Sequence, residues 1–378
     1  MRAVVYHGVN DLRLESVPVP HIGANELLVK VAVCGVCPTD VKKIQHGTVP
    51  PPRIFGHETA GTIVKIGGKN PSLVTRHLSL KVGDRVALHH HVPCGDCHFC
   101  RHRAFAQCET YKRTGITAGF EPAGGGYADY VRVMPYVLRG VVKIPPKNSF
   151  EEGAMLEPVN TVLKAVRRLN LLRGDAVLVA GQGPIGLMFT RLLQLQGVNV
   201  LATDLLESRL RLAKQFGAGW TRLARTAGPA VRGNVGDAFL PKSLILDAAI
   251  VAVPSDAVVQ EALQLVRPGG QILLFAHTKR SSLVESREPR VESKKLPALA
   301  PRPSPLDFSN ICLDEKDLIG SYSSDFTLQR EVARLVFSRQ LDVRRLITHR
   351  FPLEQTDTAV QLAARPTPDS LKILVTQS

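Results

Sequence analysis

The sequence predicts an α/β protein with a compact, mostly β part followed by a doubly wound parallel sheet. Its 378 residues are enough for two domains at roughly 150 residues each. Short β-branched runs with Gly and Pro between them fill the chain before residue 157, and a regular alternation of strands and helices follows. The change of architecture is therefore expected near residue 157.

The first part contains short runs whose composition is typical of β-strands. They are rich in Val, Ile, Thr and Tyr, and turn-forming residues bound them. The clearest are "ELLVKVAV", "ETAGTIVKIG", "DRVALHH" and "YADYVRV". Strands of this length separated by turns indicate a compact β domain.

The second part opens with a helix and then alternates strands and helices. Pro158 suits the first turn of that helix, and apolar residues follow at helical spacing: Val159, Val162, Leu163, Val166 and Leu169. The alternation that indicates a parallel sheet begins with "DAVLVAG", "GPIGLMFTRLLQLQG", "VNVLATD" and "LESRLRLAKQFGA". Residues 279–305 are charged and Pro-rich without periodicity, so we expect a flexible, exposed insertion there.

Composition limits the classes of function. The sequence lacks a run of ~18 apolar residues and the apolar stretch of a signal peptide, so we expect a cytoplasmic protein with no membrane partner. A net charge of +15 is compatible with nucleic-acid binding, but the basic residues are scattered and aromatic residues make up only 5% of the chain. We therefore expect a basic surface and no nucleic-acid partner.

The stretch "VLVAGQGPIG" carries a glycine pattern typical of dinucleotide-binding sites. Gly181, Gly183 and Gly186 form G-x-G-x-x-G between a predicted strand and a predicted helix, which begins with Pro184 and Ile185. Backbone amides at the start of a helix, together with the helix dipole, favour a pyrophosphate at this position.

An acidic residue at the end of the next predicted strand indicates which dinucleotide binds. Asp204 lies eighteen residues after Gly186, and a carboxylate there accepts hydrogen bonds from ribose hydroxyls and repels a 2′-phosphate. NAD is therefore expected rather than NADP. Arg209, a further candidate cofactor-binding residue, and Arg211 keep NADP open as an alternative.

Two groups of residues have the composition of metal sites. The first has the spacing C-x2-C-x2-C-x7-C, in Cys94, Cys97, Cys100 and Cys108. Four thiolates suit a tetrahedral zinc that is closed to substrate and stabilises a small lobe. Because four thiolates complete the coordination, we expect most of the nearby imidazoles to be polar surface groups or supports for ligands: His89, His90, His91, His98 and His102.

The second group is spread along the sequence. "CGVCPTD" and "FGHETAG" contain Cys37, Thr39, Asp40, His57 and Glu58. Twenty residues separate the cysteine from the histidine, so only the fold can bring them together. One thiolate and one imidazole leave coordination positions open, as a catalytic zinc requires. Glu157, in "AMLEP", is a candidate for a further carboxylate ligand.

Taken in order, these motifs resemble the zinc-dependent medium-chain alcohol dehydrogenases, especially the sorbitol and threonine dehydrogenase branch. The similarity covers nearly all of the chain outside 279–305 and rests on "CGVCPTD", "GHETAGTIVKIG", "GDRVALHHHVPCGDCHFC", "GGYADYV", "LEP", "GQGPIG" and "THRFPLE". It implies a GroES-like β catalytic domain at 1–157, completed by 325–378, and a Rossmann domain at 158–324. The active site would lie in the cleft between them.

The resemblance also implies roles for the second group of residues. Cys37 and His57 would bind a catalytic zinc, with Glu58 and Glu157 as direct or water-mediated carboxylate ligands. The four cysteines of the first group would hold a structural zinc.

Three further residues would support the catalytic zinc. Asp40 would orient His57, Lys372 would pair with one of the acids behind the metal, and Thr39 would pass the substrate proton outward. Many relatives have histidine where this chain has Lys42. That lysine would relay protons, touch a cofactor phosphate, favour an anionic substrate or simply face solvent.

The implied reaction is hydride transfer from a secondary alcohol or polyol to NAD, in a homodimer or homotetramer. An amino-alcohol enzyme similar to L-threonine 3-dehydrogenase is an alternative, and Glu157 in place of an aspartate favours the polyol branch. A more distant alternative is a nucleic-acid-binding protein that uses the four-cysteine lobe as a zinc finger. That alternative leaves Cys37, His57 and Asp204 without a function.

Overall fold

A computed structural model describes residues 1–68, 72–75, 78–89, 92–114, 124–224, 244–276 and 311–377. The insertion predicted at 279–305, together with His90 and His91, lies outside the described residues. Within the described ranges, no helix combines the length and apolarity that crossing a bilayer requires.

Among the described residues, five of the ten β-strands before residue 144 belong to one sheet, which two strands near the end of the chain complete. In the described residues this sheet has the order β10-β8-β5-β3-β18-β17, with β9 also paired to β3. The strands of this part are β1 (Arg2–Gly8), β2 (Asp11–Ser16), β3 (Leu27–Gly35), β4 (Arg53–Ile54), β5 (Glu58–Ile66), β6 (Ser72–Thr75), β7 (Leu78–Lys81), β8 (Arg85–His89), β9 (Tyr130–Val133), β10 (Val142–Lys143), β17 (Ile347–Pro352) and β18 (Lys372–Thr376).

Strand register brings distant parts of the sequence together in this sheet. β3 and β5 pair antiparallel with Gly35 opposite Glu58, and β5 pairs with β8 so that Glu58 also lies opposite His89. On the other side of β3, Val375 of β18 lies opposite Cys34. The sheet therefore carries the end of β3 and the start of β5 side by side.

The predicted doubly wound sheet is confirmed. Six parallel strands have the order β13-β12-β11-β14-β15-β16. They are β11 (Ala176–Ala180), β12 (Asn199–Asp204), β13 (Trp220–Leu223), β14 (Leu246–Val251), β15 (Val266–Leu274) and β16 (Asp317–Gly320). The order reverses beside β11, and in such sheets ligands bind outside the carboxyl ends of the strands at this point.

The α-helices of the described residues are, in chain order, α1 (Pro38–His46), α2 (His98–Arg101), α3 (Glu109–Thr114), α4 (Phe150–Ala154), α5 (Leu156–Val166), α6 (Pro184–Leu195), α7 (Glu207–Gln215), α8 (Asp256–Leu265), α9 (Gln329–Phe337) and α10 (Thr356–Ala364).

Both faces of the parallel sheet are buried. Val177 and Val179 point into the core that contains α5, α6 and α9, whereas Leu178 points into the core that contains α8. Successive side chains of a strand point to opposite faces, so the apolar run "AVLVA" of β11 is buried on both sides.

Candidate active site and metal centres

The helix that follows β3 places the first candidate ligand. Cys37 is the N-cap residue of α1, Pro38 occupies the first turn, and Gly47 ends the helix in the left-handed conformation with φ 60°. Asp40 lies in the first turn and is completely buried. The start of α1 therefore brings a thiol and a carboxylate into the same interior site.

His57 lies just before β5 and faces this helix start. Its Nδ1 is 3.0 Å from Oδ2 of Asp40, and the same oxygen accepts the Gly56 amide at 3.2 Å. Burial lowers the pKa of His57, but the Asp40 carboxylate and Cys37 outweigh it and raise that pKa well above its usual value. This arrangement fixes the ring and leaves Nε2 as the nitrogen that can bind a metal.

Glu58, the first residue of β5, is held by a buried ion pair with Lys372 of β18. Lys372 also donates a hydrogen bond to the Val36 carbonyl at 2.9 Å. Burial raises the pKa of Glu58, and Lys372 opposes that rise. A side chain at Gly35 would have its Cβ 1.8 Å from Glu58 Oε2, so the glycine provides the space that this carboxylate occupies.

Three ligand atoms converge at this place. One donor atom each from Cys37, His57 and Glu58 lies within 4.8 Å of the others. A thiolate, an imidazole and a carboxylate are the ligand types that zinc prefers. The described residues therefore offer a donor set, buried except for the half-buried Cys37, that fits one zinc ion and leaves a coordination position open.

The other residues predicted for this site lie around the set. Glu157 of α5 is buried and acts electrostatically on Glu58 and Lys372, but it is not one of the three converging donors. Thr39 and Lys42 are half-buried on α1, and Lys42 has a noncovalent partner.

The four predicted cysteines form a second donor set. The sulfur atoms of Cys94, Cys97, Cys100 and Cys108 all lie within 4.8 Å of one another, and the Cys97 and Cys100 sulfurs are 3.5 Å apart. Amides of Asp96 and Cys97 lower the pKa of Cys94 to about 6, whereas burial raises the pKa of Cys100 to about 12. Four thiols at these distances fit one tetrahedral zinc without an open position.

The histidines near the lobe have different environments. His98 and His102 are exposed, with ring centroids 4.5 Å apart. His89 is completely buried, and its Nε2 is 3.2 Å from the Ser324 hydroxyl. Its sequence signal is weak, because only the apolar run "VAL" before it indicates that the strand remains buried.

The glycine-rich turn after β11 has the geometry of an anion cradle. Gly181 has φ 92°, and an added Cβ at Gly186 would lie 1.8 Å from the Gly181 carbonyl oxygen. Gly183 is the N-cap of α6, and among the described residues a Cβ there would come within 4 Å only of Arg209 Nη1, at 3.7 Å. The face of Gly183 is therefore open for a phosphate group at the helix start. Pro184 and Ile185 form the first turn of α6.

Asp204 is fixed above this turn. One carboxylate oxygen accepts the Gln182 amide at 2.6 Å, and the other accepts the Leu206 amide at 2.9 Å. Each oxygen keeps a second lone pair for a ribose hydroxyl. Arg209 is anchored to the Ser370 carbonyl at 3.3 Å, whereas Arg211 is exposed and pairs with Glu207. Only the first of these two arginines therefore lies against the glycine turn.

Two tyrosines near the three-donor set have no motif in the sequence. Burial raises the pKa of Tyr111, and the nearby Tyr322, Glu157 and Asp40 raise it further. Burial also raises the pKa of Tyr322, although His57 opposes this rise. Their positions depend on contacts between distant segments, so sequence spacing does not indicate them.

Two family models match the chain. The model described as "Alcohol dehydrogenase GroES-like domain" matches residues 23–146, and the model described as "Zinc-binding dehydrogenase" matches residues 184–338. Together they contain every residue of the two donor sets and most of the parallel sheet, whereas Glu157 and Lys372 lie outside both matched ranges.

Known proteins show similarity over almost the whole chain. A sorbitol dehydrogenase of Bombyx mori is 29% identical over 99% of this chain and 97% of that protein, and one of Gallus gallus is 29% identical over 96% and 93%. A Sinorhizobium meliloti zinc-binding dehydrogenase bound to NADP has 26% identity, covers 99% and 98%, and has a TM-score of 0.78. An Escherichia coli CFT073 alcohol dehydrogenase complexed with NADH has 25% identity, covers 100% and 99%, and has a TM-score of 0.77.

Proposed function

This chain belongs to the zinc-dependent medium-chain alcohol dehydrogenase family, and we propose that it transfers a hydride from a secondary alcohol or polyol to NAD. It is an oxidoreductase that uses zinc and a nicotinamide dinucleotide. The observation that carries the proposal is the set of half-buried Cys37 with buried His57 and Glu58, whose donor atoms lie within 4.8 Å of one another. Such a set leaves room for a substrate oxygen on the metal.

Zinc would be held by Cys37, His57 and Glu58, with Glu157 as a further ligand either directly or through water. When bound, zinc lowers the pKa of a substrate hydroxyl, and NAD accepts the hydride. Asp40 holds the His57 ring in position through its 3.0 Å contact.

Other residues of this chain manage charge and protons around that site. Lys372 balances the buried Glu58 carboxylate. Thr39, two residues after Cys37 on α1, receives the proton of the substrate hydroxyl and passes it outward. Lys42 lies on the same helix and extends this route toward solvent.

The four-cysteine lobe would hold a second, structural zinc. Its four sulfur atoms complete the coordination, so this ion stabilises the lobe and takes no part in the reaction.

For the dinucleotide we propose NAD in preference to NADP. The pyrophosphate would lie against the open face of Gly183, and Asp204 would accept the ribose hydroxyls. A 2′-phosphate would meet this carboxylate, which the Gln182 and Leu206 amides prevent from moving away. Arg209 would contact the adenosine side of the cofactor.

The substrate class follows from the relatives. The sorbitol dehydrogenases of Bombyx mori and Gallus gallus act on a polyol by name, and Glu157 stands where an aspartate would favour an amino-alcohol substrate. We therefore place polyols and secondary alcohols before threonine.

We also propose how the chain is organised and where it acts. The catalytic domain consists of residues 1–157 and 325–378, because β18 pairs with β3 and β17 pairs with β18 in the same sheet. The cofactor domain takes residues 158–324. We propose a cytoplasmic homodimer or homotetramer, which light scattering after size-exclusion chromatography tests.

The experiment that tests the proposed function is a substrate screen with purified, zinc-loaded protein. Sorbitol, xylitol, simple secondary alcohols and threonine are each offered with NAD and with NADP, and reduced cofactor is followed by absorbance. We expect NADH formation with a polyol or secondary alcohol, abolished by a zinc chelator. Turnover of threonine alone, or turnover that survives complete zinc removal, would overturn the proposal.

A further inference from the structure

The glycine-rich turn after β11 contains a glutamine whose side chain is completely buried. Gln182 stands between Gly181 and Gly183, and none of its surface is exposed. Burying an uncharged amide group costs free energy unless hydrogen bonds within the protein replace those that it made with water. The partners of this side chain therefore indicate what a polar group contributes at this position.

Both ends of the Gln182 amide group are hydrogen-bonded. Its Nε2 donates to the Val179 carbonyl at 2.9 Å, and its Oε1 accepts the Thr190 hydroxyl at 3.0 Å. Val179 lies on β11, and Thr190 lies on α6, where it is also completely buried. A threonine within a helix often donates its hydroxyl to a carbonyl one turn earlier, but this one donates to the turn. The Gln182 side chain therefore connects the strand before the turn to the helix after it.

The backbone of Gln182 contacts a third element. Its amide donates to Asp204 Oδ2 at 2.6 Å, and Asp204 ends β12. The residue is thus hydrogen-bonded to β11, α6 and β12, which together form the proposed dinucleotide site. Gln182 therefore fixes the place proposed for the pyrophosphate, at the start of α6, relative to the carboxylate proposed for the ribose.

We propose that Gln182, held by Thr190, is a positioning residue for the dinucleotide and contributes both to cofactor affinity and to the preference for NAD over NADP. The hydrogen bond from Thr190 holds the turn against α6, so the amides that begin this helix keep their direction toward the pyrophosphate. The Gln182 backbone amide keeps the Asp204 carboxylate where it would meet a 2′-phosphate. Because both side chains are completely buried, neither touches the cofactor. This inference rests on the proposed function, because it needs a dinucleotide cofactor.

The test is a double-mutant cycle on the zinc-loaded protein, with Gln182→Met and Thr190→Val. Both substitutions keep the approximate size of the side chain and remove its hydrogen bonds. Each is expected to raise the dissociation constant for NADH about threefold to tenfold, as the loss of one hydrogen bond does. In the Gln182→Met background, Thr190→Val is expected to change this constant by less than about twofold, because residues that act together are not additive. Thr190→Ser keeps the hydroxyl and is expected to bind NADH as the unmodified protein does.

The preference for NADH over NADPH is a second measurement. Without the Thr190 hydroxyl the turn shifts, and the Asp204 carboxylate that is bonded to the Gln182 amide moves with it. The ratio of the NADPH dissociation constant to the NADH dissociation constant is therefore expected to fall at least about threefold in Thr190→Val. A general loss of stability would weaken both cofactors alike and leave this ratio unchanged.

Two comparisons separate positioning from stability. Thr190→Val leaves Gln182 Oε1 buried without a donor, whereas the double variant removes both partners and is expected to recover much of the urea midpoint. Its dissociation constant for NADH is expected to stay raised. Thr356→Val is the matched control, since Thr356 of α10 is also completely buried and donates its hydroxyl to the Leu353 carbonyl at 2.6 Å. This control is expected to lower the urea midpoint without changing the NADH dissociation constant. If Gln182→Met does not fold, Thr190→Val, Thr190→Ser and Thr356→Val decide the question without it.

The outcomes distinguish this inference from the proposed function. If the unmodified protein binds neither NADH nor NADPH, the proposed function fails and the inference fails with it. If the protein binds NADH, and the two substitutions leave its dissociation constant unchanged or raise it independently, the positioning inference fails alone. An NADH affinity that follows the urea midpoint across all the variants would also overturn it.

Discussion

Gly183→Ala is expected to weaken cofactor binding without weakening the fold. Gly183 has φ −66° and ψ −174°, which an alanine adopts without strain. In the part of the chain that the structure describes, its new Cβ would come within 4 Å only of Arg209 Nη1, at 3.7 Å, which is an ordinary van der Waals distance. Because alanine also restricts the unfolded chain, the free energy of unfolding is expected to stay equal or to rise by up to ~1 kcal/mol.

The expected loss of cofactor affinity follows from the open face of Gly183, where the pyrophosphate would lie. A methyl group there holds a pyrophosphate away from the amides that begin α6. Weakening one hydrogen bond to a charged group costs about 1.5–3 kcal/mol, so the dissociation constant for NADH is expected to rise about tenfold to a hundredfold. Fluorescence titration with NADH measures the binding, and urea unfolding measures the stability.

Gly186→Ala is the control for this prediction. Its Cβ would lie 1.8 Å from the Gly181 carbonyl oxygen, so this variant is expected to lose stability as well as binding. An unchanged NADH dissociation constant in a fully stable Gly183→Ala protein would refute the proposal that the cofactor pyrophosphate lies against Gly183.

Three other substitutions test separate contacts. Asp204→Ser is expected to raise the KM for NAD and lower the preference for NAD over NADP at least tenfold; an unchanged ratio from initial rates would contradict the role of Asp204. Burial raises the pKa of Glu152, but the Ser149 amide, Asn148 and Arg339 outweigh it and lower that pKa. Glu152→Gln is therefore expected to cost about 1–2 kcal/mol in urea unfolding at neutral pH. The loss should shrink as the pH falls below the ordinary pKa of glutamate, and disappear once the pH passes below the lowered pKa of Glu152 in the folded protein. Lys372→Met leaves Glu58 buried without its partner and is expected to cost about 3–5 kcal/mol, most of which adding Glu58→Gln should restore.

Contiguous motifs allowed much of this fold to be predicted from the sequence. The glycine pattern at 181–186 and the strand ending at Asp204 are local, so their spacing alone indicates the turn and the carboxylate above it. The four cysteines from Cys94 to Cys108 are equally local, because a short loop can surround one ion with little intervening chain.

The three-donor set depends on pairings that spacing does not contain. Glu58 meets Lys372 because β3 pairs with β5 on one side and with β18 on the other, and the family resemblance, not periodicity, suggested that lysine. His89 likewise depends on a tertiary contact, because its Nε2 lies 3.2 Å from the hydroxyl of Ser324, a residue 235 positions further along the chain. A single sequence does not specify such a contact.

Zinc content and turnover, measured on the same protein, show whether Cys37 binds a catalytic zinc. Pure protein is expected to hold about two zinc ions per chain. Cys37→Ser is expected to hold about one, to keep the circular dichroism spectrum of the folded protein, and to lose all alcohol-dependent NADH formation. A folded Cys37→Ser protein that keeps both zinc ions and full alcohol oxidation would show that Cys37 does not bind a catalytic zinc.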